Sequence, residues 1–202
     1  METDSLLLQS LLDCEIPVLC QLPCGQLALS AARPRAILSG AFNPLHAGHL
    51  RLAEAASQRL NCEVHFELTL RNADKPLLTI DDARRRMRQF LGVKPLWLTM
   101  APTFAERARL LPDTTWIVGA DTAERIVQAR FYGNDESKRD AALTELREFG
   151  ARFLVAGRVT AHGNFLSLKE IQISECARML FDEIEEQEFR VDISSTDLRK
   201  NE

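Results

Sequence analysis

"AILSGAFNPLHAGHLRLAEAASQRL", residues 36–60, decides the fold. The apolar run "AILSG" stops at Gly40 and reads as a short buried strand. From Ala47 onward Leu50, Ala53, Ala56 and Leu60 return on one helical face, so 47–60 reads as a helix. A strand that passes through a Gly- and Pro-bearing loop into a helix is the first half of a strand–helix–strand unit. Two of the chain's four histidines, His46 and His49, stand at the junction.

Downstream the alternation repeats. "EVHFELTL" (63–70), "LWLTM" (96–100), "WIVGA" (116–120) and "ARFLVAG" (151–157) read as strands. Helical patterns separate them: "ARRRMRQFLG" behind Asp81 or Asp82, "TFAERARLL" (103–111), "DTAERIVQARF" (121–131) and "ESKRDAALTELREFG" (136–150). The expected fold is therefore α/β, a five-stranded parallel sheet with helices on both faces, because parallel strands need crossovers outside the sheet. With strand order 3-2-1-4-5, the loop holding the histidines and the "GAD" turn (119–121) meet at the switch point, where such sheets bind ligands. Toward the C-terminus "NFLSLKEI" is ambiguous, "ISECARMLFDEI" reads as helical, "FRVDI" as extended and "SSTDLRK" as a helix start.

Residues 1–34 read as an N-terminal extension, a helix-like "SLLLQSLLD" followed by Pro17, Pro23, Gly25 and Pro34, ahead of an α/β domain at 35–202. A length of 202 residues suits one sizeable core. The net charge of −4 argues against a general nucleic-acid binder. No apolar run approaches the ~20 residues that span a bilayer. The N-terminus lacks a basic segment and a small-residue cleavage site, so the expected location is cytoplasmic. Cys14, Cys20 and Cys24 include no Cys-x-x-Cys pair and no nearby histidine; with Cys62 and Cys176 they read as reduced structural thiols, not a metal site.

His46 and His49 have no third ligand at metal spacing, and an isolated histidine is usually solvated or a hydrogen-bond partner in the core. An anion accounts for more of the loop. Gly48 lets a ligand approach the backbone, the helix N-terminus offers unpaired N–H groups, and two imidazoles one turn apart can face the same phosphate oxygens. Gly40 ends the strand and Pro44 stiffens the turn. Asp121 reads as a helix cap or a ligand contact, with Gly119 clearing room beside it. Lys75 reads as a solvated lysine or a phosphate ligand, and Arg158 follows Gly157 at the end of the fifth strand. Arg84, Arg85, Arg86 and Arg88 read as mostly a solvated helix face, and Trp97 and Trp116 as core.

"GAFNPLHAGHL" (40–50) resembles the G-x-F-x-P-x-H-x-G-H signature of the nucleotidyltransferase superfamily, and "ISSTDLR" (193–199) resembles its I-S-S-T-x-x-R element. "IVGADTAERI" (117–126) and "NADKPLLTIDDARRRM" (72–87) are similar to segments of the pyridine-nucleotide adenylyltransferases. The resemblance implies a Rossmann-like nucleotidyltransferase fold and an ATP-dependent transfer of AMP to nicotinamide or nicotinate mononucleotide. It gives His46, His49 and Arg199 catalytic roles. Gly40, Phe42, Gly48, Lys75, Ser194, Ser195 and Thr196 are expected around the ATP phosphates, and Gly119, Asp121 and Arg158 around the nucleotide substrate. Mg²⁺ carried mainly by the phosphates is the implied cofactor. The chain ends three residues after Arg199, where family members continue into a longer helix. Two alternatives stand beside this expectation: another phosphate-bearing acceptor, or a nucleotide-binding regulatory protein with little transfer.

Overall fold

The computed structural model describes residues 2–71, 76–159 and 165–189. Its strands are β1 (Val18–Gln21), β2 (Leu27–Ala28), β3 (Ala36–Ser39), β4 (Val64–Thr69), β5 (Leu96–Thr99), β6 (Thr115–Gly119), β7 (Arg152–Ala156), β8 (Arg158–Val159), β9 (Phe165–Leu166) and β10 (Phe181–Ile184). The helices are α1 (Glu2–Leu12), α2 (Ala47–Leu60), α3 (Ile80–Arg88), α4 (Phe104–Leu110), α5 (Ala120–Val127), α6 (Glu136–Glu148) and α7 (Glu175–Arg178), with 3₁₀ turns at Ala129–Tyr132 and Leu168–Glu170.

The main sheet runs β10-β7-β6-β3-β4-β5-β1-β2. Its middle five strands are the five expected from sequence, in the expected order, and all pair in parallel. The strand count needs correction, from five to eight. β10 adds a parallel strand beside β7, whereas β1 pairs antiparallel with β5 and carries β2 on its outer edge.

Alternation along each strand sends neighbouring residues to opposite faces and builds two cores. On one face Leu38, Phe66, Leu68, Leu96 and Leu98 meet α1, α2 and α3 through Leu8, Leu11, Leu52, Ala56 and Met87, with Phe90 just past the end of α3. On the other, Ile37, Trp97, Trp116, Val118 and Phe153 meet α4, α5 and α6 through Ala108, Ala123, Ile126, Leu143 and Leu146. Leu8 and Leu11 are fully buried, a contribution of about 1.5–3 kcal/mol each, so α1 belongs to the core of the sheet's first face.

Three local expectations change. Helix α2 buries Gly48, Leu52, Ala53 and Ala56, while Leu50 is exposed, so its buried stripe is displaced from the expected one. The helix expected over 121–131 stops at Val127 and tightens into a 3₁₀ turn. "ISECARMLFDEI" holds only the short helix α7 before Phe181–Ile184 joins the sheet edge, because four residues there can bond to β7.

Candidate functional site

Between β3 and β6 the strand order reverses, and the loops leaving both strands lie at the sheet's carboxyl edge. The first loop ends at His46, the N-cap of α2, with extended backbone (φ −141°, ψ 170°). His46 Nδ1 accepts the Gly48 N–H at 3.2 Å, and His49 Nδ1 accepts the His46 N–H at 3.3 Å. The pair forms a capping box in which imidazoles stand where Ser and Glu usually stand. Since each Nδ1 is an acceptor, each neutral ring carries its proton on Nε2 and is a donor there.

The two rings stack at 3.8 Å between centroids, 29° apart. Burial, with His46 alongside, lowers the His49 pKa to about 4, and burial also lowers that of His46. At neutral pH the helix therefore opens on two uncharged, parallel imidazole donors. A cationic ring would have to protonate the Nδ1 that caps the helix, so ionisation and the cap exclude each other.

Phe42 sets His49. Its ring is buried and packs edge-on against His49 (5.0 Å), Phe66 (5.5 Å) and Phe90 (5.1 Å). Its backbone lies at φ 46°, a conformation that side-chain-bearing residues seldom adopt. A Cβ on Gly40 would come within 2.8 Å of the same ring, so Gly40 makes the seat in which Phe42 lies. Gly40 and Phe42, expected at the phosphates, thus act on the site through the shape of the loop. The Phe42 ring touches His49, and a Cβ on Gly40 would meet that ring.

Helix α3 grips this loop from the side. Arg86 donates to Ala41 O (2.8 Å), Arg85 to Asn43 Oδ1 (2.9 Å), and Gln89 both donates to Phe42 O (2.9 Å) and accepts from Leu45 N–H (2.8 Å). Arg84 reaches Ser5 on α1. The arginine cluster expected to be mostly solvated is instead largely engaged with other parts of the chain, with Arg88 left exposed.

The second loop has a different build. Gly119 is the N-cap of α5, has no side-chain cap, and a Cβ placed on it would meet nothing within 4 Å. Asp121, in the first turn of α5, pairs with Arg158 at the start of β8 (2.9 Å, both side chains about half exposed). Gly157 is required there, since a Cβ would strike the Phe165 ring at 2.4 Å. The structure thus joins two sequence-predicted residues, Asp121 and Arg158, into one ion pair over the ends of β6 and β7. Lys75, Ser194, Ser195, Thr196 and Arg199 lie outside the described residues.

Sequence reasoning missed a buried polar cluster beneath the first loop. Glu67, with no exposure, accepts from Ser39 Oγ (2.7 Å) and Thr99 Oγ1 (2.7 Å) and pairs with Arg107 at 3.5 Å. Arg107 also donates to Ser39 Oγ, Ala101 O and Pro102 O. An ion pair taken out of water costs several kcal/mol unless its hydrogen bonds are satisfied, and here they are. The cluster ties the ends of β3, β4 and β5 to α4, and its only local signal was a Glu, with a Thr, inside apolar strand patterns. Trp97 and Trp116 are buried, as expected of core residues.

Two cavities, about 260 Å³ beside Cys14 and Arg109 and about 510 Å³ beside Arg130 and Arg139, touch neither histidine. Among the described residues no group of three His, Cys, Asp or Glu could hold a metal ion, and no helix is long and apolar enough to cross a membrane. Cys14, Cys20, Cys24 and Cys62 are free, and burial pushes the Cys20 thiol up to about 11.

No curated protein matches the chain. Residues 37–201 match the cytidylyltransferase-like family model, a span that runs from β3, through the histidine loop, nearly to the last residue. The chain therefore belongs to the cytidylyltransferase-like family of nucleotidyltransferases.

Proposed function

We propose that the protein transfers AMP from ATP to nicotinamide mononucleotide or nicotinate mononucleotide. The observation that carries the proposal is the stacked pair of Nε2–H donors at the start of α2, which suits a triphosphate lying across the end of β3. In this reaction an oxygen of the mononucleotide 5′-phosphate bonds to the α-phosphorus, the bond to the β-phosphate oxygen breaks, and pyrophosphate leaves. The nucleophile is already an anion, so no strong base is needed, and rate comes from positioning and charge stabilisation. His46 and His49 donate to the triphosphate oxygens, and the N-terminus of α2 behind them adds its dipole.

Arg199 takes the leaving phosphates through its planar fork, with Ser194, Ser195, Thr196 and Lys75 as further phosphate donors. These five roles rest on the resemblance of "ISSTDLR" and the lysine-bearing segment to family motifs. Gly119, Asp121 and Arg158 serve the mononucleotide, because the open space at Gly119 adjoins the ion pair. Mg²⁺ enters on the triphosphate, whose oxygens are its natural ligands, and supplies charge neutralisation when bound. Cys14, Cys20, Cys24 and Cys62, free among the described residues, suit a reducing compartment, and we place the activity in the cytoplasm.

The test is to incubate the purified protein with ATP, Mg²⁺ and either mononucleotide, phosphopantetheine or a phosphoalcohol, and to weigh the products by mass spectrometry. Formation of the dinucleotide is the expected result. Adenylylation of another acceptor would replace the proposed substrate, and ATP binding without transfer would replace the enzyme with a regulatory binder.

A further inference from the structure

The loop that aims the histidines is fastened most closely by one side chain. Gln89 caps the C-terminus of α3, and its amide uses both ends on the loop: Nε2 donates to Phe42 O and Oε1 accepts from Leu45 N–H. These two backbone groups bracket the residues immediately before His46. The next residue, Phe90, packs on Phe42, which packs on His49, so residues 89 and 90 hold the loop by its backbone and by its ring. Arg86 reaches Ala41 O and Arg85 reaches Asn43 Oδ1, whereas Gln89 spans the loop from Phe42 to Leu45.

We infer that Gln89 is a positioning residue for nucleotidyl transfer, fixing through Phe42 and Leu45 where the Nε2 donors of His46 and His49 stand. The inference rests on the proposed transfer reaction for its kinetic consequence and on the hydrogen bonds alone for its structural one. Only a side chain with a donor and an acceptor serves both bonds. A leucine serves neither. A glutamate keeps the bond from Leu45 N–H but turns lone pairs toward Phe42 O, until protonation supplies an O–H donor in place of the amide. The charged or titratable groups on these elements are Asp81, Asp82, Arg84, Arg85, Arg86 and Arg88 of α3, and the N-cap His46 with His49, Arg51, Glu54 and Arg59 of α2. Of these, Arg85 and Arg86 bond the loop itself, and their guanidiniums favour the carboxylate of such a variant, so its recovery falls at acid pH.

The experiment compares Gln89→Leu and Gln89→Glu with the unaltered chain. At neutral pH both variants lose about 10-fold or more in kcat with KM for ATP changed less than about 2-fold, since a shifted donor costs the transition state more than the ground state. As pH falls, the ratio of Gln89→Glu to the unaltered protein climbs back, and that of Gln89→Leu stays low. If Gln89→Leu does not fold, the neutral-pH kcat of Gln89→Glu, expected to be down about 10-fold or more, decides the matter, and an unchanged value overturns the inference. A second readout needs no turnover: the His49 imidazole titration followed by NMR, low in the unaltered chain, moves toward the ordinary histidine range in Gln89→Leu as the loop loosens. Should the unaltered protein transfer nothing to any acceptor, the proposed function fails and the titration still judges Gln89. Unchanged kcat in a transfer-competent Gln89→Leu, or an unmoved His49 titration where no transfer exists, overturns the inference.

Discussion

Two strand-to-helix junctions lie on neighbouring strands, and they end their helices in opposite ways. At β3–α2 the helix N-terminus is closed by its own side chains, with His46 and His49 accepting backbone N–H groups. At β6–α5 the N-terminus is bare, capped by a glycine with open space beside it. A helix start has N–H groups that need partners. The first junction meets that need internally and presents imidazole N–H groups one layer further out. The second leaves its donors to water or to a ligand. One junction thus supplies fixed donors, and the other supplies room.

The largest test of that contrast is on the closed side. His49→Ala is expected to lower kcat by at least ~10²-fold, the scale of losing one preorganised donor, in the transfer assay. An unchanged rate would falsify the donor role. Because His49 also caps His46 N–H, His49→Gln, which restores an ordinary capping-box residue, should recover stability without recovering rate.

Acid provides the next effect. His49 has a folded pKa of about 4, below its unfolded value, so the unfolded chain binds the proton first. The contribution is fully present above about pH 6.5 and is lost as pH falls toward 4, on the order of 2 kcal/mol after solvent screening. Chemical denaturation at pH 7 and pH 4.5 should show the loss, and His49→Gln should reduce it; an equal loss in both proteins would remove the assignment to His49.

On the open side, Gly119→Ala adds a Cβ without strain, since φ is −76° and no atom lies within 4 Å of it. Thermal stability should stay within about 0.5 kcal/mol while KM for the mononucleotide rises about tenfold. An unaltered KM would show that no ligand enters there. The smallest effect belongs to the Asp121–Arg158 pair. Half exposed on both sides, it should show a coupling of less than about 1 kcal/mol in a stability double-mutant cycle of Asp121→Asn and Arg158→Gln. A larger coupling would make the pair a structural clamp.

The same contrast explains what could be read in advance. The central strands and the histidine loop follow from local patterns: apolar runs ended by Gly, helical stripes, a motif of fixed spacing. β1 escaped because "VLCQ" is short and sits between Pro17 and Pro23, and only the exposed edge of β5 makes a strand of it. β10 escaped because "FDEI" carries helical periodicity until β7 offers its backbone. Gln89, Arg85 and Arg86 are separated by more than 40 residues from the loop they hold, and such contacts leave no mark on either stretch alone. Glu67 showed only as a misfit among apolar neighbours, its partners Ser39, Thr99 and Arg107 being scattered across three elements.

The seat of Phe42 also constrains how this chain can change over generations. A side chain at position 40 collides with the ring at position 42, and the ring supports His49. The two positions cannot drift independently. A lineage that first trims the ring becomes free to vary at 40, at the expense of the histidine's support, whereas one that first gains a Cβ at 40 must displace the ring at once. A side chain at position 40 is therefore expected only in relatives that have already lost the ring at position 42.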